Sequence, residues 1–283
     1  MAITHGFIAR EYVNLGEAPY KNVGKAVVTQ ARLAEPVRVL GQRDSWYEVE
    51  MSDTYRGFVS PVDVVPADKE AWESYQEAPQ VLITAHFTFV YRDKEFVPAG
   101  KDATSLLQAA TLGTQLPLLA ENGENLCVRL PDGRMGYVKR SDGCVIPGFN
   151  HIPRGSADDI IALAQEFMGL PYFWGGTTPY GYDCSGFVQT ILKQNGIHLL
   201  RDAHQQYGQG EAVGRENLEV SDLVFWSTYR AGASHVGFYM GEGEYIHAGS
   251  SKGVAINSFN PAAANYSEEL DKKYLGARRV WGV

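Results

Sequence analysis

The chain has 283 residues, of which 45% are hydrophobic and 12% aromatic, so it can bury one large core or two to three smaller ones. Its formal net charge is −8 and it contains no run of Lys or Arg, which argues against a nucleic-acid-binding surface or docking to an anionic membrane. We therefore expect a compact, soluble protein that acts on neutral or cationic small substrates, with neither nucleic acid nor a membrane as partner.

The N-terminal half contains an internal repeat. Segments 36–65 and 115–145 each combine short strands of alternating polarity with a polar turn and a Gly-aromatic-Val sequence. Four positions of the first copy recur 79 residues later without a gap: Val49, Gly57, Phe58 and Val59 as Val128, Gly136, Tyr137 and Val138. The repeat predicts two small β-barrels in tandem. Its pattern resembles the bacterial SH3-like domains.

The positions of proline and glycine and the changes in composition along the chain predict three domains and a linker. The two SH3-like domains are expected at residues 1–66 and 79–148. Between them, residues 67–78 are polar and helix-prone until Pro79, which predicts a linker. A cluster of Pro and Gly then precedes a clear helix, so the third domain is expected at residues 149–283.

The third domain begins with an amphipathic helix. Ser156 is a candidate N-cap with two Asp residues in the first turn, and Gly169 is the expected end. The apolar positions repeat with helical spacing and predict one buried face, formed by Ile160, Ile161, Ala164, Phe167 and Met168.

A second helix is predicted to carry Cys184 in its first turn. Asp183 is well placed as the N-cap, an apolar stripe follows, and Gly196 ends the helix. At a helix start, the dipole and the unpaired backbone N–H groups favour a thiolate. The same N–H groups can face a developing oxyanion. These features suit Cys184 to act as a nucleophile.

Four apolar strands follow, and two of them carry histidines. His235 and His247 are separated by 12 residues, an even number, so a regular hairpin can place both side chains on one face. His235 could then accept the thiol proton while His247 orients its ring. A satisfied structural role for each histidine stays open. Helices followed by antiparallel strands predict an α+β fold.

The same segments resemble, in order, the motifs of the NlpC/P60 superfamily of papain-like cell-wall peptidases. They read PYFWGGTTPYGYDCSGFVQTIL, SDLVFWS, SHVGFYMGEGEYIHAGS and YLGARRV, and the match covers about residues 149–283. The resemblance implies a papain-like catalytic domain with Cys184 as nucleophile, His235 as general base and acid, and His247 as the polar residue that orients His235. Ser221 departs from the pattern, because the family often has Gly there.

Two SH3-like domains before such a domain, with LPYFWGG and LLRDAHQQY, resemble the γ-D-glutamyl-L-diamino acid endopeptidases, also called dipeptidyl-peptidase VI. These enzymes cleave murein stem peptides after L-Ala-γ-D-Glu and require a free N-terminal L-Ala. The resemblance implies a murein tripeptide or tetrapeptide as substrate. The residues expected to bind it are Glu11 and Tyr55 in the first domain and Tyr172, Trp174, Asp183, Ser185, Arg201 and Asp202 in the third.

Several alternatives stay open. Tyr55 could be an ordinary surface residue of its barrel, and Arg201 and Asp202 could form a local ion pair. The chain could instead be an N-acetylmuramoyl-L-alanine amidase or another murein hydrolase on the same fold, or a wall-binding module without activity. The sequence does not choose between diaminopimelate and lysine in the substrate.

The remaining expectations concern cysteines, metals, assembly and location. The chain has three cysteines and no CxxC pair, so a structural zinc site has little support, while a bridge between Cys127 and Cys144 stays open. We expect no metal, no cofactor and a monomer. The first residues lack the features of a signal peptide, so the default location is the cytoplasm, or the envelope if a leader was removed.

Overall fold

The computed structural model describes residues 3–94 and 105–280. The chain divides into an N-terminal unit that ends at Ile152 and a C-terminal unit that begins at Pro153. None of the helices in the described ranges is long and apolar enough to cross a membrane.

The described part of the N-terminal unit forms two seven-stranded antiparallel sheets joined by a helix. The first sheet contains β1 (His5–Ile8), β2 (Tyr12–Gly16), β3 (Val27–Arg32), β4 (Pro36–Arg43), β5 (Trp46–Glu50), β6 (Arg56–Val59) and β7 (Val64–Ala67). Helix α1 (Lys69–Glu77) follows. The second sheet contains β8 (Gln80–Ile83), β9 (Phe87–Tyr91), β10 (Leu106–Thr111), β11 (Gln115–Asn122), β12 (Asn125–Arg129), β13 (Met135–Lys139) and β14 (Gly143–Ile146).

The two sheets share one topology, which explains the sequence repeat. The first has the strand order β3-β2-β6-β5-β4-β1-β7, and the second has the same order seven strands later, β10-β9-β13-β12-β11-β8-β14. Val49 pairs with Gly57 in one sheet, and Val128 pairs with Gly136 in the other. A Cβ on Gly57 would lie 2.8 Å from a neighbouring side-chain carbon, and one on Gly136 would lie 2.5 Å from another. Glycine therefore recurs because the sheet leaves no room for a side chain there.

Helix α1 packs into the core rather than crossing solvent as a free linker. Asp68 caps it by accepting a hydrogen bond from the backbone N–H of Ala71 (2.8 Å). Its Tyr75 is 5% exposed, and the ring lies 4.3 Å from that of Phe7 in β1. The Tyr75 hydroxyl donates to the carbonyl of Arg129 in β12 (3.0 Å). The helix thus joins both sheets in one hydrophobic cluster.

The C-terminal unit has an α+β arrangement. Its helices are α2 (Ala157–Gln165), α3 (Cys184–Gln194), α4 (Ala203–Gln206) and α5 (Glu268–Lys272). Its strands are β15 (Thr177–Thr178), β16 (Gly181–Tyr182), β17 (Glu211–Val213), β18 (Leu223–Trp226), β19 (His235–Gly241), β20 (Glu244–Gly249), β21 (Gly253–Ser258) and β22 (Tyr274–Arg279). Among the described residues, β15 and β16 form a small ribbon, and six antiparallel strands form a sheet in the order β17-β22-β18-β19-β20-β21. Helix α3 packs on β19 and β20.

Two local features of this unit refine the sequence expectations. Helix α2 starts after the predicted N-cap Ser156, which also forms a capping box with Asp159. The predicted burial of Met168 is wrong: the residue is 45% exposed, because the helix ends at Gln165 and its periodicity stops there. Ser221 is buried with φ of +70°, a conformation that glycine adopts more readily, which explains why glycine suits this turn.

Candidate active site

Cys184 opens helix α3, and Asp183 is the N-cap. The Asp183 backbone is extended, and its side chain accepts a hydrogen bond from the backbone N–H of Gly186 (2.6 Å). A Cβ on Gly186 would lie 2.1 Å from the carbonyl oxygen of Gly176. The helix start is therefore held tightly against the preceding loop, and Cys184 is 6% exposed.

A buried ion pair fixes the same helix start. Arg201 is 1% exposed, and its guanidinium donates to both carboxylate oxygens of Asp183, at 2.6 and 3.0 Å. It also donates to the hydroxyl of Ser185 (2.9 Å), and the side chain of Gln206 donates to the Ser185 carbonyl (3.1 Å). Because the contact is bidentate, it sets the orientation of Asp183 as well as balancing its charge.

The two predicted histidines meet on adjacent strands. Nε2 of His235 in β19 lies 2.7 Å from Nδ1 of His247 in β20, and the two rings are perpendicular at 88°. In the register of the hairpin, Phe238 pairs with Ile246, so His247 stands across from Gly237. A Cβ on Gly237 would lie 2.8 Å from the Cβ of His247. The bare glycine lets the rings meet diagonally.

Cys184 lies beside the start of β19, where His235 is found. The backbone N–H of Val236, the residue after His235, hydrogen-bonds the Cys184 sulfur, as does the N–H of Ser185. Since His235 uses Nε2 for His247, its Nδ1 is the ring nitrogen left for the thiol. The structure thus brings His235 into contact with His247 and sets Cys184 beside the residue that follows His235.

Burial dominates the electrostatics of this cluster. Burial and, to a smaller extent, the charge of Asp183 raise the pKa of Cys184 to about 12, against the N–H of Val236, Arg201 and the N–H of Ser185, which lower it. Burial therefore outweighs the groups that favour the thiolate, and the predicted effect of the helix dipole on Cys184 stays a prediction.

Both histidines are uncharged in the resting site. Burial holds the pKa of His235 well below 6.5, and His247 lowers it further. Burial also lowers the pKa of His247, against its hydrogen bond to the accepting Oδ1 of Asn257, which raises it. The resting site therefore contains a thiol and neutral imidazoles. If His235 takes the thiol proton as predicted, two opposite charges form in the cluster and offset each other's loss of hydration.

Asn257 extends the histidine pair, and the sequence analysis missed it. Its Oδ1 lies 3.0 Å from Nε2 of His247, and its Nδ2 donates to the backbone carbonyl of Asn265 (2.7 Å). Asn257 lies in β21, where His247 pairs with Ala255, so the two side chains are diagonal neighbours on one face. This even offset between adjacent strands is the signal that could have identified Asn257.

Two aromatic residues that the sequence predicts to bind substrate, Tyr172 and Trp174, belong to the C-terminal unit. Tyr172 is within electrostatic reach of Cys184 and Asp183. The ring of Trp174 contacts that of Tyr229 edge to face at 5.6 Å. Tyr229, also missed in the sequence, lies in the loop between β18 and β19 and is within electrostatic reach of Cys184 and Asp183.

Asp202 and Arg201 differ in what they offer to a ligand. The Asp202 side chain is 34% exposed at the start of α4 and is within electrostatic reach of Tyr229. Arg201 is buried and forms its ion pair with Asp183, which lies 18 residues earlier in the sequence. The structure therefore shows a long-range ion pair for Arg201. Roles for Arg201, Ser185 and Asp183 in substrate binding stay predictions.

Tyr55 and Glu11 belong to the N-terminal unit. Tyr55 is partly buried against the core of the first sheet, and its backbone N–H donates to Asp53 (3.0 Å). Glu11 precedes β2, and its carbonyl accepts from the N–H of Leu33 (2.9 Å). Their proposed contacts with substrate stay predictions.

The cysteines that could form a bridge are both free. Within the described ranges, Cys127 is buried in β12 and Cys144 is exposed in β14, and neither forms a disulfide. The described residues also contain no group of three or more His, Cys, Asp or Glu side chains that could hold a metal ion.

Comparisons with known proteins identify the family of the chain. Residues 169–278 match the model of the NlpC/P60 family. A γ-D-glutamyl-L-lysine dipeptidyl-peptidase from Bacillus cereus is 34% identical over 262 residues, which cover 89% of this chain and 74% of that protein. A murein DD-endopeptidase and LD-carboxypeptidase from Escherichia coli is 42% identical over 118 residues, covering 41% of this chain and 58% of that protein. The crystal structure of an NlpC/P60 family protein from Bacillus cereus is similar with a TM-score of 0.85 and 28% identity, covering 98% of this chain and 99% of that one.

Proposed function

This chain belongs to the NlpC/P60 family of cysteine peptidases, and from that premise we propose that it hydrolyses the γ-D-glutamyl-L-diamino acid bond of murein stem peptides with a free N-terminal L-Ala. The product is L-Ala-γ-D-Glu. The observation that carries this specificity is the extent of the match. The γ-D-glutamyl-L-lysine dipeptidyl-peptidase aligns with 89% of the chain, whereas the E. coli enzyme of different specificity aligns with 41%.

The proposed reaction uses the cluster around Cys184. Cys184 passes its proton to Nδ1 of His235 and attacks the γ-carbonyl carbon of D-Glu, forming a C–S bond and an oxyanion. We assign stabilisation of that oxyanion to the backbone N–H of Cys184, at the start of α3. His235 then protonates the leaving amine as the C–N bond breaks. Water hydrolyses the resulting thioester and regenerates the thiol.

Recognition of a free amine requires a negative or acceptor-rich group that substrate can reach. Asp202 combines a carboxylate with partial exposure, and Tyr172 and Tyr229 add hydroxyls near Cys184. An N-acylated substrate lacks the charge and adds bulk, so this arrangement would discriminate against it. An enzyme with this requirement would act on peptides already released from the glycan, as in recycling of wall peptides.

We extend the proposal to the N-terminal unit, whose two sheets we interpret as SH3-like domains. Their common strand order and the paired glycines at 57 and 136 support a duplicated small β-domain. The structural neighbour of 28% identity, which covers 98% of this chain, is consistent with this architecture belonging to the enzyme as a whole.

The substrate is tested by mass spectrometry of products from L-Ala-γ-D-Glu-L-Lys, its diaminopimelate analogue and the N-acetylated form of each. We expect L-Ala-γ-D-Glu from the free peptides and at least about 100-fold slower cleavage of the acetylated ones, because a site built for a polar group discriminates against its loss. Cys184→Ala should abolish turnover, whereas Cys144→Ala, which alters an exposed free cysteine, should leave it unchanged.

Each contrary result has a distinct meaning. Equal cleavage of free and acetylated peptides would exclude the requirement for a free amine. Release of L-Ala peptides from a muramyl peptide, without cleavage after D-Glu, would identify an amidase instead. Undiminished turnover by Cys184→Ala would exclude Cys184 as nucleophile.

A further inference from the structure

The hydrogen bonds behind His235 form a directed chain that ends on the backbone. Asn265 contributes its carbonyl oxygen, which accepts from Nδ2 of Asn257 (2.7 Å) and from the backbone N–H of Ser258 (3.1 Å). The Asn265 side chain is itself anchored, because its Nδ2 donates to Glu244 (2.9 Å). The acceptor at the end of the chain is therefore fixed in position.

This carbonyl determines which way the Asn257 amide faces. A carbonyl oxygen can only accept a hydrogen bond, so the Asn257 group opposite Asn265 must be the NH₂. The Asn257 carbonyl then faces Nε2 of His247, 3.0 Å away. The opposite orientation would place two acceptor oxygens 2.7 Å apart.

The fixed amide in turn selects the tautomer of His247. Because Oδ1 of Asn257 only accepts, Nε2 of His247 must carry a proton. A neutral His247 then has a bare Nδ1, which accepts from Nε2–H of His235 (2.7 Å). His235 is left with a lone pair on Nδ1, the nitrogen that remains for Cys184. Burial keeps both histidines neutral and so supports this arrangement.

We propose that Asn257 is a positioning residue that fixes the tautomer of His235 through His247, so that Nδ1 of His235 is free to act as base. The proposal rests on the proposed roles of Cys184 and His235. A neutral amide suits the task better than a carboxylate. A charge at position 257 would favour a doubly protonated His247, which would donate to Nε2 of His235 and shift the His235 proton to Nδ1.

Several ionisable groups lie around the hydrogen bonds that link His235, His247 and Asn257. His235 and the ring of Tyr245 flank His247, with ring centroids 4.9 and 5.6 Å away, and Glu244 reaches the chain through Asn265. Cys184 approaches from α3, and on β18 the ring of Trp226 lies 6.0 Å from that of His247 without a titratable group. A carboxylate at position 257 would thus contact Nε2 of His247 directly, whereas Glu244 reaches His247 only through Asn265 and Asn257.

The tautomer is tested first by ¹⁵N NMR of the imidazole rings at pH 7.5, which needs no substrate. In the wild-type protein we expect both His235 and His247 to be protonated on Nε2 and bare on Nδ1. In Asn257→Leu, which has no acceptor, we expect a mixture of tautomers at both rings. Protonation of wild-type His235 on Nδ1, or unchanged spectra in Asn257→Leu, would overturn the proposal.

Kinetics then distinguish positioning from a structural role. Asn257→Leu should lower kcat about 10- to 100-fold with KM little changed, in line with other residues that orient a functional histidine. Asn257→Asp keeps an acceptor for Nε2 of His247 but sets its second oxygen against the Asn265 carbonyl, so its kcat at alkaline pH should lie between those of wild type and Asn257→Leu, with the acid limb moved upward because the charge raises the pKa of His247. Asn217→Leu is the matched control, at an exposed asparagine whose side chain donates to Glu216, and it should change neither kcat nor the acid limb.

The outcomes separate this proposal from the proposed substrate. If Asn257→Leu and Asn257→Asp lose kcat equally and the acid limb of the pH profile does not move, Asn257 has a structural role and the positioning role is overturned. If the wild-type protein has the expected tautomers but does not cleave γ-D-glutamyl peptides, the substrate assignment fails while the tautomer assignment stands.

Discussion

The two sides of Cys184 are organised by opposite electrostatic means. The helix start in front of the thiol is held by full charges, in the bidentate pair of Asp183 and Arg201, which is almost completely buried. The proposed base behind it, His235, is held by neutral groups, in the chain through His247 to Asn257. A fixed support can contain a matched pair of ions, whereas a base must stay uncharged until the thiol gives up its proton.

The charged side is tested by Arg201→Met, which we expect to have the largest effect. Removing the guanidinium leaves the Asp183 carboxylate buried without its partner, which costs about 3–5 kcal/mol of unfolding free energy. The double variant Arg201→Met with Asp183→Asn should recover part of this loss, because the unpaired charge is gone. Urea unfolding measures both.

Lys272→Met is the matched control for this experiment. Lys272 forms an exposed i,i+4 pair with Glu268, at 72% and 67% side-chain exposure, so its loss should change stability little. If Arg201→Met is no more destabilising than Lys272→Met, the buried pair does not hold the helix start.

The neutral side is tested by Gly237→Ala. The new Cβ would lie 2.6 Å from the carbonyl oxygen of Ile246 and 2.8 Å from the Cβ of His247, so β20 must shift. We expect a loss of about 1–3 kcal/mol in unfolding free energy, as for other overpacked sites, together with a fall in kcat because His247 moves away from His235. Gly41→Ala, where the structure leaves open space, should have neither effect. A normal kcat in Gly237→Ala would show that the diagonal contact of the rings tolerates displacement.

The sequence predicted the parts of this site that local rules determine. Asp183 as N-cap and Cys184 in the first turn follow from helix-start chemistry, and the even spacing of His235 and His247 follows from strand geometry. Gly57 and Gly136 could also be identified from the sequence, because each of the two sheets requires a glycine at the same position.

The contacts that the sequence did not reveal are those between distant segments. Arg201 pairs with Asp183 across 18 positions, and Asn257 reaches His247 from the next strand. Burial of Tyr75 depends on Phe7 of the first sheet, so α1 could be predicted as a helix but not as part of the core. Which partner a polar side chain finds depends on register and packing, and neither is encoded in the spacing of a single motif.

The pH dependence of catalysis gives the subtlest test of the neutral side. Burial holds the pKa of His235 well below 6.5, and a histidine in the proposed role of base is active in its neutral form. A lowered pKa extends that form to lower pH, so the acid limb of kcat/KM should lie below pH 6.5. At pH 5.5 an unperturbed imidazole would already have lost about 90% of its neutral form, whereas this enzyme should keep most of its activity. An acid limb at pH 6.5 in the wild-type enzyme would contradict a buried, neutral base.

The lowered histidine pKa values should preserve activity at mildly acidic pH but reduce the stability of the folded protein there. Below pH 6.5 the histidines of the unfolded chain take up protons that buried His235 and His247 do not, so the free energy of unfolding must fall as the pH decreases through this window. The enzyme should therefore keep its initial rate under mildly acidic conditions while its melting temperature already declines. Initial rates and thermal unfolding measured in the same buffers check this separation. Parallel declines of rate and melting temperature, both centred near pH 6.5, would mean that the histidine pair is hydrated and titrates like free imidazole.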